Sequence, residues 1–273
     1  LLSNIGGYPV GAKLLTGLVR SGRLRRGDAS RLLCCCYGSG PSFVIGTAGM
    51  QVFGSAAAGG MIFGACILSS LVAAAVVCRF GEPILLDESS SAQDLSAECF
   101  ISSVDAGARV MYTVCVMSVA FAAVTALLDS AGITELAAWA LGKLGLGGNS
   151  DRLLPALLEV TQVRGLVPEG AAASLCAAAL SFGGVCVLMQ VGALTGGEIS
   201  MKPLLISRLP AALLSGLLAV PAGKLTAAEA YSPNASGVPA AGQAFSINAG
   251  LSVCVLIMAG MLILLVEGGR ATE

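Results

Sequence analysis

The sequence predicts an all-α integral membrane protein built from inverted repeats with re-entrant hairpins. The chain of 273 residues is 56% apolar and 11% charged, with a mean hydropathy of +0.87, whereas a soluble domain carries about 25% charged residues. Several stretches longer than a bilayer core carry no charge. Two polar, turn-prone stretches also interrupt the apolar sequence at corresponding places in two halves.

A hydrocarbon core of about 30 Å takes roughly 20 apolar residues per helix. Residues 32–78 are uncharged and long enough for two spans, with a break near Gly54 and Ser55; residues 110–128, 170–197 and 244–266 are also free of charge. Residues 203–223 carry only Arg208, expected to snorkel its head group to the interface. Six spans are therefore expected. Polar loops fall at residues 20–28, 82–105 and 224–243; the middle one is acidic and Ser-rich, with a partial helical period at Leu95, Cys99 and Ser102 suited to the membrane surface.

Composition removes several function classes. The net charge is −1 and no basic stretch is interleaved with aromatics, so nucleic-acid binding has no footing. The ten cysteines lie mostly in apolar runs without Cys-x-x-Cys spacing and read as small packing residues. With no histidine in the chain, metal sites and acid–base catalysis lose their commonest participant, and neither an enzyme nor a bound cofactor is expected. A start at Leu1, directly before a glycine-rich turn, predicts a fragment lacking its N-terminal side.

The internal repeat is the most informative feature. Residues 37–54 (YGSGPSFVIGTAGMQVFG) and 180–197 (LSFGGVCVLMQVGALTGG) align at a constant offset that matches Gly40 with Gly183, Val44 with Val187, Gly49 with Gly192 and Gly54 with Gly197. Ahead of each lies a polar interruption, SNIGGYPVGAK at residues 3–13 and EVTQVRGLVPEG at 159–170, and a Gly-Leu-Val triplet accompanies both. Such interrupted segments suit re-entrant tips or broken helices whose free backbone groups line a cavity. Gly60 and Gly64 read instead as a Gly-x-x-x-Gly helix-packing pair.

Charge asymmetry orients the chain. With the basic loop cytoplasmic, ten Lys or Arg fall inside (Arg20, Arg23, Arg25, Arg26, Arg31, Arg79, Arg109, Lys202, Arg208, Arg270) and four outside (Lys143, Arg152, Arg164, Lys224), Lys13 being left uncounted within the first hairpin. The second hairpin then enters from the opposite face, which makes the repeats inverted. The expected organisation is a first repeat over residues 1–79, an acidic cytoplasmic loop with a connecting span and external segment over 80–150, a second repeat over 151–223, and an external linker with the last span over 224–273.

Glu159 is the first site residue. It follows the apolar run 153–158, and an intramembrane carboxylate costs roughly 2.5–3.5 kcal/mol at a helix centre on insertion scales. Its alternative is a structural ion pair with Arg164. Asn4, Tyr8, Thr161 and Gln162 belong to the tips; Ser39, Ser42 and Thr47, with Ser181 and Gln190, place hydroxyls and amides along the two glycine-rich spans and suit a small polar solute. Pro41 removes a donor and is expected to break the first span at Ser39, as Gly183 and Gly184 would the second.

At GGYPVGAK (6–13), CYGSGPSFVIGT (36–47), LEVT (158–161) and SFGGVCVLMQ (181–190) the chain resembles the YlbJ-type sporulation integral membrane proteins, which carry the nucleoside-recognition, or Gate, domain. The resemblance implies a fold similar to the core of concentrative nucleoside transporters and a role in endospore formation and spore cortex assembly at a bacterial cell membrane, in the mother cell or forespore. This chain has Gly6 where the family usually has Ser, and Tyr37-Gly38 where it usually has Asn. Two functions follow as expectations: a permease-like protein for a small polar, nucleoside-like solute, with Na+ or H+ as candidate coupling ion, or a non-transporting scaffold that uses the acidic loop. Beyond the bilayer, the partner is left open between a second copy and other sporulation membrane proteins.

The charge asymmetry predicts that residues 20–28 and 82–105 face the cytoplasm and residues 143–151 and 224–243 the outside. Cysteine-accessibility labelling of positions 23 and 151 checks this; finding both on one face removes the inverted arrangement.

Overall fold

Apolar stretches become helices because a helix satisfies its own backbone donors and acceptors, and lipid offers no substitutes. The computed structural model describes residues 4, 6–79, 97–143 and 147–223, and among these every regular element is helical, with no strand. In chain order they are α1 (Tyr8–Arg20), α2 (Arg26–Cys36), a wider π-helical segment (Ser42–Val52), α3 (Ala56–Arg79), α4 (Ala97–Ser130), α5 (Ile133–Gly142), a short 3-10 turn (Gly147–Asn149), α6 (Ser150–Leu158), a second 3-10 turn (Val160–Gly165), α7 (Ala172–Phe182), α8 (Gly184–Thr195) and α9 (Lys202–Leu218).

Three of these stretches are long and apolar enough to cross a membrane: Ala56–Arg79, Ile101–Ser130 within α4, and Ala172–Thr195, formed by α7 and α8 together. Among the described residues the protein is thus all-α, with helices suited to a bilayer. The first span expected within residues 32–78 is not one helix: α2 stops at Cys36 and the π-helical segment starts at Ser42. The stretch 203–223 is largely α9, 17 residues long. Residues 97–105, expected in the acidic loop, already belong to α4. The rest of that loop, the linker 224–243 and the last span 244–266 lie outside the described residues.

Helix α9 shows how the chain is turned inside out relative to a soluble protein. Ile206, Leu209, Leu213 and Leu217 point outward, Ile206 and Leu213 being 75% and 71% exposed. Leu204, Ser207, Arg208, Ala211 and Ser215 are buried where α9 packs against α3 and α7. A soluble helix buries its Leu stripe; here the Leu stripe suits lipid while small and polar residues meet neighbouring helices. Ser215 Oγ donates to the Ala177 carbonyl at 3.0 Å, and a Cβ on Gly216 would lie 3.1 Å from the Ser174 carbonyl oxygen.

Two expectations are corrected by this packing. Arg208 does not snorkel: it is 0% exposed, because helical spacing puts it on the buried face with Leu204, Ala211 and Ser215. The tight helix contact is not made by Gly60 or Gly64, which would have open space around an added Cβ. It is made by Gly59, one residue earlier, whose added Cβ would lie 2.8 Å from Gly49 Cα and 2.9 Å from Ile45 Cα of the π-helical segment.

Long-range polar contacts join the loops. Arg20 Nε donates to Glu198 Oε1 at 2.9 Å, and the Ser200 amide donates to Ser30 Oγ at 3.1 Å. The basic loop and the turn after α8 therefore share one end of the molecule.

The Gly49–Gly59 approach predicts that Gly59→Ala lowers stability by about 1–3 kcal/mol, the usual cost of overpacking, while Gly60→Ala is near neutral. Thermal unfolding of the two variants in detergent, compared side by side, checks this.

Candidate ligand cavity at the helix breaks

The two glycine-rich stretches each contain a break, and the breaks fall where the repeat aligns them. In the first, residues 37–40 are non-helical between Cys36 and Pro41, and helical bonding resumes with the Val44 amide donating to the Gly40 carbonyl at 3.1 Å. Pro41 has no amide hydrogen with which to continue α2. In the second, Gly183 and Gly184 take φ of +83° and +78°, which separate α7 from α8. Both glycines are also sterically required. The Tyr37 hydroxyl occupies the space of a Gly183 Cβ, and a Cβ on Gly184 would lie 3.2 Å from both the Leu158 carbonyl oxygen and the Val160 amide nitrogen.

A helix end leaves four carbonyls without intrahelical donors, and at the end of α7 each finds a different partner. Ala179 accepts from the Gly183 amide at 2.8 Å; Leu180 accepts from the Tyr8 hydroxyl; Ser181 accepts from Arg208 Nη1 at 3.5 Å; Phe182 accepts from the Tyr37 hydroxyl at 3.0 Å. At the first break Arg208 Nη2 donates to the Cys34 carbonyl at 3.0 Å. Nη1 and Ser70 Oγ share the Tyr37 carbonyl at 3.5 and 3.4 Å. The Tyr8 and Tyr37 ring centroids are 4.9 Å apart, and the guanidinium lies 4.9 Å from the Tyr37 ring.

Beside this knot lies a cavity of about 410 Å³. Gly6, Gly7, Tyr8 and Pro9 line it from the first tip, Ser39, Gly40, Ser42 and Phe43 from the first break, Glu159, Val160 and Thr161 from the second tip, and Val187 and Gln190 from α8. Met111, Val114 and Ser118 of α4 complete it. Ser42, Thr161 and Met111 are exposed, so the cavity is open on one side. Of the residues expected in the site, Tyr8, Ser39, Ser42, Glu159, Thr161 and Gln190 therefore converge.

Glu159 occupies the C-terminal end of α6 in extended conformation and is only 3% exposed. Its carboxylate accepts from the Thr161 amide at 3.3 Å and from the Thr161 hydroxyl. Among the described residues no cation pairs with it; Arg164 is exposed and makes no ion pair. Ser39 Oγ, 4% exposed, has no hydrogen-bond partner of standard geometry. The buried Gln190 donates to Cys186 Sγ at 3.2 Å. The wall thus presents an acceptor-rich carboxylate, the Ser39 hydroxyl close to Tyr8, an amide and an aromatic face. Among the described residues no three His, Cys, Asp or Glu side chains are grouped as a metal site requires.

Four of the polar residues expected along the site lie elsewhere, and Thr47 of the π-helical segment is one that does not line the cavity. Gln162 lines a separate polar cavity of about 520 Å³ with Asp129, Thr134, Glu135, Asp151 and Arg152, because the 3-10 turn after Glu159 points successive side chains to different sides. Ser181 Oγ is 3.2 Å from Ser69 Oγ, behind the break rather than in the cavity. Asn4 does not line the cavity; its Oδ1 lies 3.1 Å from the Cβ position that Gly38 leaves empty. Sequence reasoning missed Met111, Val114 and Ser118, which share one face of α4 by helical spacing. Ser118 does not stand out from Thr113 and Thr125 in the same apolar run. No family model, curated protein or solved structure matches the chain.

The carbonyl accounting predicts that Tyr37→Phe, which strips Phe182 of its donor, costs about 1–3 kcal/mol, the penalty of an orphaned buried acceptor. Chemical unfolding in detergent measures it.

Proposed function

We propose that this chain is a permease-like membrane protein of endospore formation that binds a small polar, nucleoside-like solute in the cavity between its two tips. The observation that carries the proposal is Glu159: a carboxylate 3% exposed, without a cationic partner among the described residues, on the wall of a cavity large enough for a small solute. Burying such a charge is costly unless something offsets it. Thr161 supplies two hydrogen bonds, and a ligand hydroxyl, amine or cation supplies the remainder.

Two further observations support the proposal. Both tips, the first break and the helix that follows the second break border the same cavity, the arrangement that inverted repeats with re-entrant hairpins, similar to the concentrative nucleoside transporter core, would produce. All four segments on which the resemblance to the YlbJ-type sporulation proteins rests contribute lining residues: Tyr8 from the first, Ser39 from the second, Glu159 from the third and Gln190 from the fourth. In this reading Ser39, Gln190 and Thr161 orient the solute, the Tyr8 ring packs against its apolar face, and Glu159 accepts its donors.

Glu159→Gln is expected to fold and insert normally, yet to lose solute-induced thermal stabilisation across a panel of nucleosides and related metabolites, and to give spores with reduced heat resistance. A second change at Arg164 is expected not to restore either. A wild-type protein stabilised by no member of the panel, or a Glu159→Gln variant stabilised as fully as wild type, would overturn the proposal.

A further inference from the structure

Arg208 is a fully buried cation with no carboxylate beside it among the described residues. Its surroundings consist instead of carbonyl oxygens at the C-terminal ends of two half-helices that are far apart in sequence. Nη2 reaches Cys34 at the end of α2 at 3.0 Å, and Nη1 sits 3.5 Å from both Tyr37 at the first break and Ser181 at the end of α7. Ser207 Oγ accepts from Nη2 at 3.4 Å, while Nε has no partner. Helix C-termini carry partial negative charge, so two of them converging on one point attract a cation and repel each other without it. The planar guanidinium alone among side chains spans such separated acceptors; a lysine ammonium is a compact point charge on a flexible stem.

We infer that Arg208 is a positioning residue that locks the two helix breaks into one mechanical unit, so that the ends of α2 and α7 open and close together. Ser39 and Gly40 on one side and Val187 on the other then keep a fixed relation across the cavity even though they belong to different halves of the chain. The lock does not depend on what the cavity binds. Its failure is therefore distinguishable from failure of the proposed solute binding.

Hydrogen–deuterium exchange of the detergent-solubilised protein over a denaturant series tests it. In the wild type, amides in the last turn of α2 (33–36) and the last turn of α7 (180–183) are expected to share one opening, with a common denaturant dependence. In Arg208→Lys both turns are expected to exchange about tenfold faster, the scale of one lost hydrogen bond to a charged donor, while α3 amides at 58–65 are unchanged. Separate openings in the wild type overturn the inference, and that measurement needs no variant if Arg208→Lys does not fold. Faster exchange confined to one turn, or spread equally to residues 58–65, also overturns it.

Discussion

Everything near the centre of this protein follows from the need to satisfy the carbonyls that a broken helix leaves behind. An unbroken span in lipid closes its own backbone hydrogen bonds; a span cut in the middle strands acceptors where no water reaches them. At the end of α7 those acceptors are met by the Gly183 amide and by side chains from three other elements, Tyr8 of α1, Tyr37 of the first break and Arg208 of α9. The partners are not interchangeable, because each comes from a different direction and occupies its own space. Tyr37 fills the volume that a side chain on Gly183 would need, and the backbone around Glu159 does the same at Gly184.

The two buried charges are treated differently. Arg208 is surrounded by carbonyl dipoles and a tyrosine ring, which offset its charge without a counter-ion among the described residues. Glu159 receives two hydrogen bonds from a residue two positions along and otherwise faces the cavity. In the proposed reading the cation holds the breaks in place and the anion meets the solute. That division assigns structure to one charge and recognition to the other, and it agrees with where each stands: Arg208 behind the breaks, Glu159 in front of them.

Much of this was legible in the chain because lipid imposes simple rules. Long uncharged stretches mark helices; Pro41 and the Gly183-Gly184 pair mark breaks because one lacks a donor and the other takes up positive φ; Tyr8 and Glu159 stand out in the polar interruptions, and Ser39 and Gln190 as polar groups in apolar runs. Other features carried no such mark. Gln162 and Thr161 are neighbours with similar claims, and only the direction of the 3-10 turn sends one to each cavity. Gly60 and Gly64 have the spacing of a packing motif, yet the facing backbone arrives at Gly59.

By itself, then, the sequence determined that the protein is helical and suited to a membrane, where two helices break and which polar groups are too costly to face lipid. These properties depend on local chemistry and on the solvent, both of which can be read residue by residue. Tertiary structure alone decided that Arg208 turns inward, that Ser181 lies behind the break, and that Met111, Val114 and Ser118 complete the cavity. The physical reason is that a helix rotated by one residue, about 100°, turns a different set of side chains toward its neighbours. Which rotation wins is settled by partners far away in sequence, here the carbonyls of Cys34, Tyr37 and Ser181 waiting for a donor.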